Sequence, residues 1–157
     1  MQIRPYTSAD LGAVARLFTD AVHTLAASHY DAAQREAWAP QPPDLDYWQQ
    51  RLAALHLLIA QDGSGHMLGF VGYEDNGHID LLFTAPQAAR RGVASQLYLA
   101  SEVQLFEQGT TRLFTEASLL SRPVFERLGF EVVQEEQVSL RGAVFRRFAM
   151  AKHAMAG

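Results

Sequence analysis

Apolar residues recur at two different spacings along this chain, and the change from one to the other organises it. Leu11, Val14, Phe18, Val22 and Leu25 fall three or four positions apart, the spacing that lines one face of an α-helix. Thr7 precedes them as a candidate cap, with Asp10 favourably placed in the first turn. A short strand over Gln2 to Pro5 comes before that. A second helical segment spans Ala32 to Trp38 and ends at the proline-rich AWAPQPPDLD, and a third covers Asp46 to Leu55. From Leu55 onward the pattern tightens. LHLLIA, MLGFVGYE and HIDLLFT read as strands, separated by QDGSG and by Asn76-Gly77. Asn-Gly is a strong hairpin signal because both residues accept positive φ, so these strands form an antiparallel meander.

The second half alternates more. A helix begins near Gly92, runs to about Glu107 and stops at Gly109, as a left-handed cap predicts. RLFTEA follows as a strand reached by a crossover helix, which places it parallel to HIDLLFT. A short helix then has Ser121 at its N-cap, Pro123 in its first turn and Gly129 as its stop. EVVQEEQVS and AVFRRFAMA form a last pair of strands joined at Arg141-Gly142. The expected architecture is α/β in the α+β sense: a mixed, mostly antiparallel, twisted sheet of about seven strands flanked by helices. No repeat, low-complexity segment or linker interrupts it, so residues 1–157 are expected to make one domain.

Composition narrows the function classes. Of 157 residues, 48% are hydrophobic, enough for a sizeable core. The net charge of −4 argues against a general nucleic-acid binder. Without cysteine there is no disulfide, thiolate metal site or cysteine nucleophile. The N-terminus MQIRPYTSAD lacks the apolar run of a signal peptide and no stretch approaches membrane-spanning length. These features predict a cytoplasmic protein without membrane partners, as monomer or homodimer.

The chemistry concentrates in HIDLLFTAPQAARRGVASQLYLASE, His78 to Glu102. An apolar strand leads through a proline and an arginine-rich, glycine-containing turn directly into a helix. Unpaired amides and the helix dipole make such a turn suited to a pyrophosphate. The two parallel strands, each followed by a helix, are expected to diverge at their carboxyl ends and to leave a crevice between Leu82-Phe83 and Glu116-Ala117.

With LLFTAPQAARRGVASQLY, SRPVFERLGF and this strand order in view, the chain resembles the GNAT superfamily of acyl-CoA-dependent N-acetyltransferases over nearly its whole length. The family's phosphate turn reads Gln/Arg-x-x-Gly-x-Gly/Ala. Ala89-Arg90-Arg91-Gly92-Val93-Ala94 matches at Gly92 and Ala94 and departs at Ala89. The resemblance implies a centrally splayed sheet, acetyl-CoA as co-substrate and no metal. It also implies a pyrophosphate held by the amides of Arg91 to Ser95, and a pantetheine arm bonded along Leu82, Phe83 and Thr84 like an added strand. Many members carry a tyrosine four residues before the glycine of the last short helix, where it protonates the departing thiolate. Phe125 stands there instead and has no proton to give. Ser118 and Ser121 are the nearby hydroxyls.

An acceptor amine must lose a proton to attack. Asp80, with His78 two residues earlier, lies on the strand feeding the phosphate turn, and Glu116 lies on its neighbour. If they share a space, two close carboxylates would push one pKa upward, which suits a base. A metal site from His78, Asp80 and Glu116 is rejected for want of a fixed third ligand. Tyr30 and Trp38, with His23 and His29 nearby and Tyr73-Glu74 at the rim, are the candidates for the acceptor side. The leading expectation is transfer of acetyl from acetyl-CoA by direct attack of a small amine, amino-acid derivative, aminoglycoside-like compound or peptide N-terminus in a ternary complex. The alternative, motivated by Phe125, is a non-catalytic acyl-CoA sensor.

Overall fold

Two sheets carry the fold in the computed structural model, which describes residues 1–154. Strands β1 (Gln2–Pro5), β2 (His56–Gln61), β3 (Met67–Tyr73) and β4 (Ile79–Thr84) form a four-stranded antiparallel sheet in that order. Strands β5 (Arg112–Ala117), β6 (Glu131–Leu140) and β7 (Ala143–His153) form a three-stranded sheet in the order β5-β7-β6.

The sheets meet at one point. His78, just ahead of β4, bridges in parallel to Phe114 on β5, and the Phe114 N–H donates to the Gly77 carbonyl at 3.0 Å. One step on, the Thr115 hydroxyl donates to the Ile79 carbonyl at 2.8 Å. Beyond that, among the described residues, no strand bridge joins β4 to β5. The parallel pair predicted from the crossover thus exists as a seam at its start and a splay at its carboxyl ends. The seam depends on Gly77. Its φ is +98°, and a Cβ there would lie 2.2 Å from the Arg112 carbonyl oxygen, so only glycine lets the turn come this close.

Helices cover the sheets where their apolar faces require it. Helix α1 (Leu11–Leu25) buries Val14, Phe18 and Val22, the face predicted from spacing. Helix α2 (Ala32–Trp38) opens with a reciprocal capping box, Gln34 N–H to Asp31 at 2.7 Å and Asp31 N–H to Gln34 at 3.0 Å. Helix α3 (Leu45–Ala53) starts one residue before the expected position because the Asp44 carboxylate caps it, accepting from the Asp46 and Tyr47 amides. Helix α4 (Val93–Glu107) ends at Gly109, whose φ is +96°. Helix α5 (Arg122–Arg127) follows β5. The Ser121 hydroxyl does not cap α5 as predicted. It turns back to accept from the Ser118 N–H at 2.9 Å.

One aromatic cluster joins elements far apart in sequence. Phe18 on α1 meets Trp48 on α3 at 4.7 Å and Phe83 on β4 at 4.8 Å between ring centroids. Trp38 on α2 touches Phe18, Phe83, Tyr30 and Phe145 on β7. These are edge-on contacts, the favourable arrangement for ring quadrupoles. Among the described residues no helix is long and apolar enough to cross a membrane.

Candidate active site

The splay opens into a cavity of about 660 Å³, within the range that small-molecule sites occupy. Along one wall run Leu82, Phe83 and Thr84 of β4, and along the other Glu116 and Ser118. β4 is an edge strand on this side, so its backbone groups face the cavity without a strand partner.

At the far end lies the turn expected to hold phosphate. Arg90 and Gly92 both take positive φ, 63° and 79°, which turns the chain sharply into α4. The first helical bond runs from the Gln96 N–H to the Gly92 carbonyl at 3.1 Å. The amides of Val93, Ala94 and Ser95 therefore have no helical acceptor, and no acidic residue stands in the first turn to compete for them. Ala89, Arg90, Gly92, Val93, Ala94 and Ser95 all line the cavity. Arg91 does not: its guanidinium points back toward the Gln87 carbonyl at 3.5 Å. A Cβ on Gly92 would meet no protein atom within 4 Å, so the space beside it is open to a ligand.

Asp80 owes its position to a β-bulge. Gly72 pairs with Leu81 but Tyr73 pairs with Ile79, so Asp80 is the extra residue on β4. Bulges re-aim side chains beside functional sites, and Asp80 lines the cavity. Its one ionic partner among the described residues is Arg51, at 3.4 Å.

Glu116 lines the same cavity, so the two carboxylates do share a space. His78 stands beside Glu116. The imidazole contacts Glu116 at 2.8 Å and Glu74 at 2.7 Å while stacking on Phe114. Hydrogen bonding to Glu116, then to Glu74, pushes the His78 pKa up to about 9 against the opposing effect of burial. The same contact holds Glu116 below the ordinary carboxylate range. His78 does not itself line the cavity and stands behind Glu116, which does.

A pH signature follows. The raised folded-state pKa of His78 means that its contribution to stability is full below the unfolded value of 6.5 and is lost as pH rises through about 9. Glu116 behaves oppositely, losing its contribution only in acid. Urea unfolding should therefore show the stability advantage of wild type over His78→Asn shrinking across this alkaline window. A constant advantage would rule out the charged pair.

On the remaining wall, Tyr30 is 4% exposed, its ring packed on Trp38 and Phe145. Its hydroxyl reaches the end of β5 and accepts the Leu119 N–H at 2.8 Å. Burial raises the Tyr30 pKa, partly offset by that N–H and by the Ser118 hydroxyl beside it. Tyr30, Trp38, His29 and Phe125 all line the cavity. His23 instead bonds the Ala39 carbonyl at 2.8 Å. Tyr73 is buried and bonds Gln104, so it is no rim residue.

Sequence reasoning missed the arginines of this wall. Arg51, Arg141, Arg146 and Arg147 line it, contributed by α3 and by the β6–β7 hairpin. Arg141 alone had a visible signal, an arginine at a two-residue turn that favours asparagine or glycine.

The chain matches the family model described as an acetyltransferase (GNAT) domain over residues 26–152. It is 34% identical over 150 residues to the uncharacterized N-acetyltransferase YafP of Escherichia coli strain K12, covering 96% of this chain and 94% of that protein. The crystal structure of a GCN5-related N-acetyltransferase from Rhodopseudomonas palustris superposes with a TM-score of 0.92 at 29% identity, over 98% of this chain and 95% of that one. The PaiA N-acetyltransferase of Thermoplasma acidophilum, solved with coenzyme A, shares the fold at 16% identity and a TM-score of 0.72, over 98% of each chain. A splayed sheet with an amide-rich turn at the end of its cavity, together with these matches, makes this chain a member of the GNAT superfamily, an acetyl-CoA-dependent N-acetyltransferase.

Proposed function

We propose that acetyl-CoA lies along the splay, its pyrophosphate on the amides of the turn before α4 and its pantetheine arm bonded to the free edge of β4 at Leu82 and Phe83. The observation that carries this reading is the pairing of two unpartnered stretches on one cavity, the free edge of β4 and the amides of Val93, Ala94 and Ser95 at the start of α4. Arg90 adds charge where the phosphates would lie. Within the ternary complex the amine nitrogen attacks the thioester carbonyl carbon, the C–S bond breaks, and the amine proton passes to a carboxylate. Asp80 is the better candidate for that base, because the contact of one Glu116 oxygen with His78 holds that carboxylate below its ordinary range. Glu116 and His78 then stand as a fixed charge pair beside it.

The departing thiolate needs a proton that Phe125 cannot supply. Two phenols line the cavity, Tyr30 and Tyr47; Tyr30 is the one that reaches the end of β5, where its oxygen accepts the Leu119 N–H and leaves its own proton free to donate. This is a different role from the acceptor recognition expected from sequence. It also weakens the sensor reading, whose motive was the missing acid. The amine approaches from the side of α2, α3 and the β6–β7 hairpin.

A panel of amines incubated with acetyl-CoA, following free thiol, tests the transfer. Calorimetry tests the cofactor site. Gly92→Val should weaken acetyl-CoA binding about tenfold or more, since a branched residue resists φ of +79° and its side chain would fill the space beside the turn. Unchanged affinity would place the pyrophosphate elsewhere.

A further inference from the structure

We infer that the acceptor carries an oxyanion, a carboxylate, as well as its amine, and that Arg141 grips it. The inference rests on the transferase reading above and extends it to the class of substrate.

Six arginines line the cavity: Arg51, Arg90, Arg127, Arg141, Arg146 and Arg147. Against them stand the carboxylates of Asp80 and Glu116, so a chain of net charge −4 builds a cationic site. Arg90 belongs to the phosphate turn and Arg127 to α5 on the cofactor side. At the acceptor end Arg51 pairs with Asp80, Arg146 with Glu135 and Arg147 with Glu136. Arg141 alone of these four has no carboxylate partner among the described residues.

Its placement is costly and controlled. Arg141 is the first residue of the two-residue loop between Leu140 and Ala143, with φ of +47°, followed by Gly142 at +82°. A non-glycine side chain there is strained unless it is asparagine or aspartate. The guanidinium is held from both sides: one N–H donates to the Ala37 carbonyl at 2.7 Å, and the group lies over the Tyr47 ring at 5.8 Å. Those bonds use one donor of the fork and leave the others free for an anion.

Arg141 also lines a second chamber of about 260 Å³ between α1, α3 and the proline loop. Phe18, Trp38, Tyr47, Arg51 and Arg141 are common to both chambers, so it stands at their junction. A run of contacts leads from it to the base: Arg141 over Tyr47, the Tyr47 hydroxyl to Arg51 at 3.4 Å, and Arg51 to Asp80 at 3.4 Å. An acceptor bridging this wall has its ammonium at Asp80 and its carboxylate at Arg141. Asp44 caps α3 at the edge of the second chamber and disfavours an anion deeper inside, which confines the carboxylate to the junction.

The test is a ladder of amino acids differing in the separation of amine and carboxylate, each beside its carboxamide, assayed by thiol release with wild type, Arg141→Asn and Arg141→Lys. Asparagine tolerates the turn, and unaltered acetyl-CoA affinity verifies folding. Wild type should prefer the carboxylate member of at least one pair on the order of 10- to 100-fold in kcat/KM. Arg141→Asn should lower kcat/KM for the carboxylate member far more than for its carboxamide and so erase that preference, and Arg141→Lys should keep part of it. Equal use of both members by wild type overturns the proposal while leaving the transferase reading intact, and so does an equal loss for both in Arg141→Asn, which marks a mere strut. Failure of every amine to release thiol overturns both.

Discussion

Asp80→Asn should lower kcat on the order of 10²-fold or more while leaving acetyl-CoA affinity unaltered. The substitution keeps size and the bulge geometry and deletes only the charge that takes the amine proton. Because the loss is of a base, the mutant rate should recover at high pH, where the acceptor amine is already neutral in solution. Glu116→Gln should behave differently. Its carboxylate is held below its ordinary range by His78, which makes it the poorer proton acceptor, and its loss should fall mainly on stability in the pH range where His78 is charged. If Asp80→Asn retains full rate on a good acceptor, the base lies elsewhere or is solvent.

Tyr30→Phe should lower kcat by about tenfold to 10²-fold, the lower part of the general-acid range, because a CoA thiolate is already a fair leaving group. The phenyl ring preserves the contacts with Trp38 and Phe145. It leaves the Leu119 N–H without its acceptor, at a cost of about 1–3 kcal/mol in stability, so rates must be compared well below the melting temperature. The acid role requires kcat to fall with both KM values unaltered. A raised acceptor KM at constant kcat would make Tyr30 a recognition residue instead, and unchanged kinetics would leave it as packing.

What was legible in the sequence was whatever neighbouring residues decide. The face of α1, the span of α2, the Asn-Gly turn, the glycine stop of α4 and the amide-rich turn after β4 all follow from patterns of a few residues. Contacts across long separations were not legible. Nothing near Tyr30 says that its oxygen meets Leu119, 89 positions away, and nothing near Arg141 points to the Ala37 carbonyl, 104 positions away. The setting of the two carboxylates was hidden for a related reason. Asp80 and Glu116 line one cavity, but Asp80 does so through a bulge that alternation does not reveal, and the bridge to Phe114 brings His78 against Glu116, where it sets the electrostatics.

The aromatic cluster places a limit on how this enzyme can change its preferences over evolution. Phe83, on the strand proposed to grip the cofactor, shares its packing with Phe18 and Trp38, which wall the proposed acceptor side. Enlarging or shrinking that wall to admit a new amine shifts the strand beneath it, so selection on one substrate is felt by the other. The hairpin arginines carry no such debt, because they sit at the rim and pair with solvent-facing glutamates on β6. Descendants of this protein would acquire new acceptors by exchanging charges on the hairpin while the aromatic wall stayed as it is.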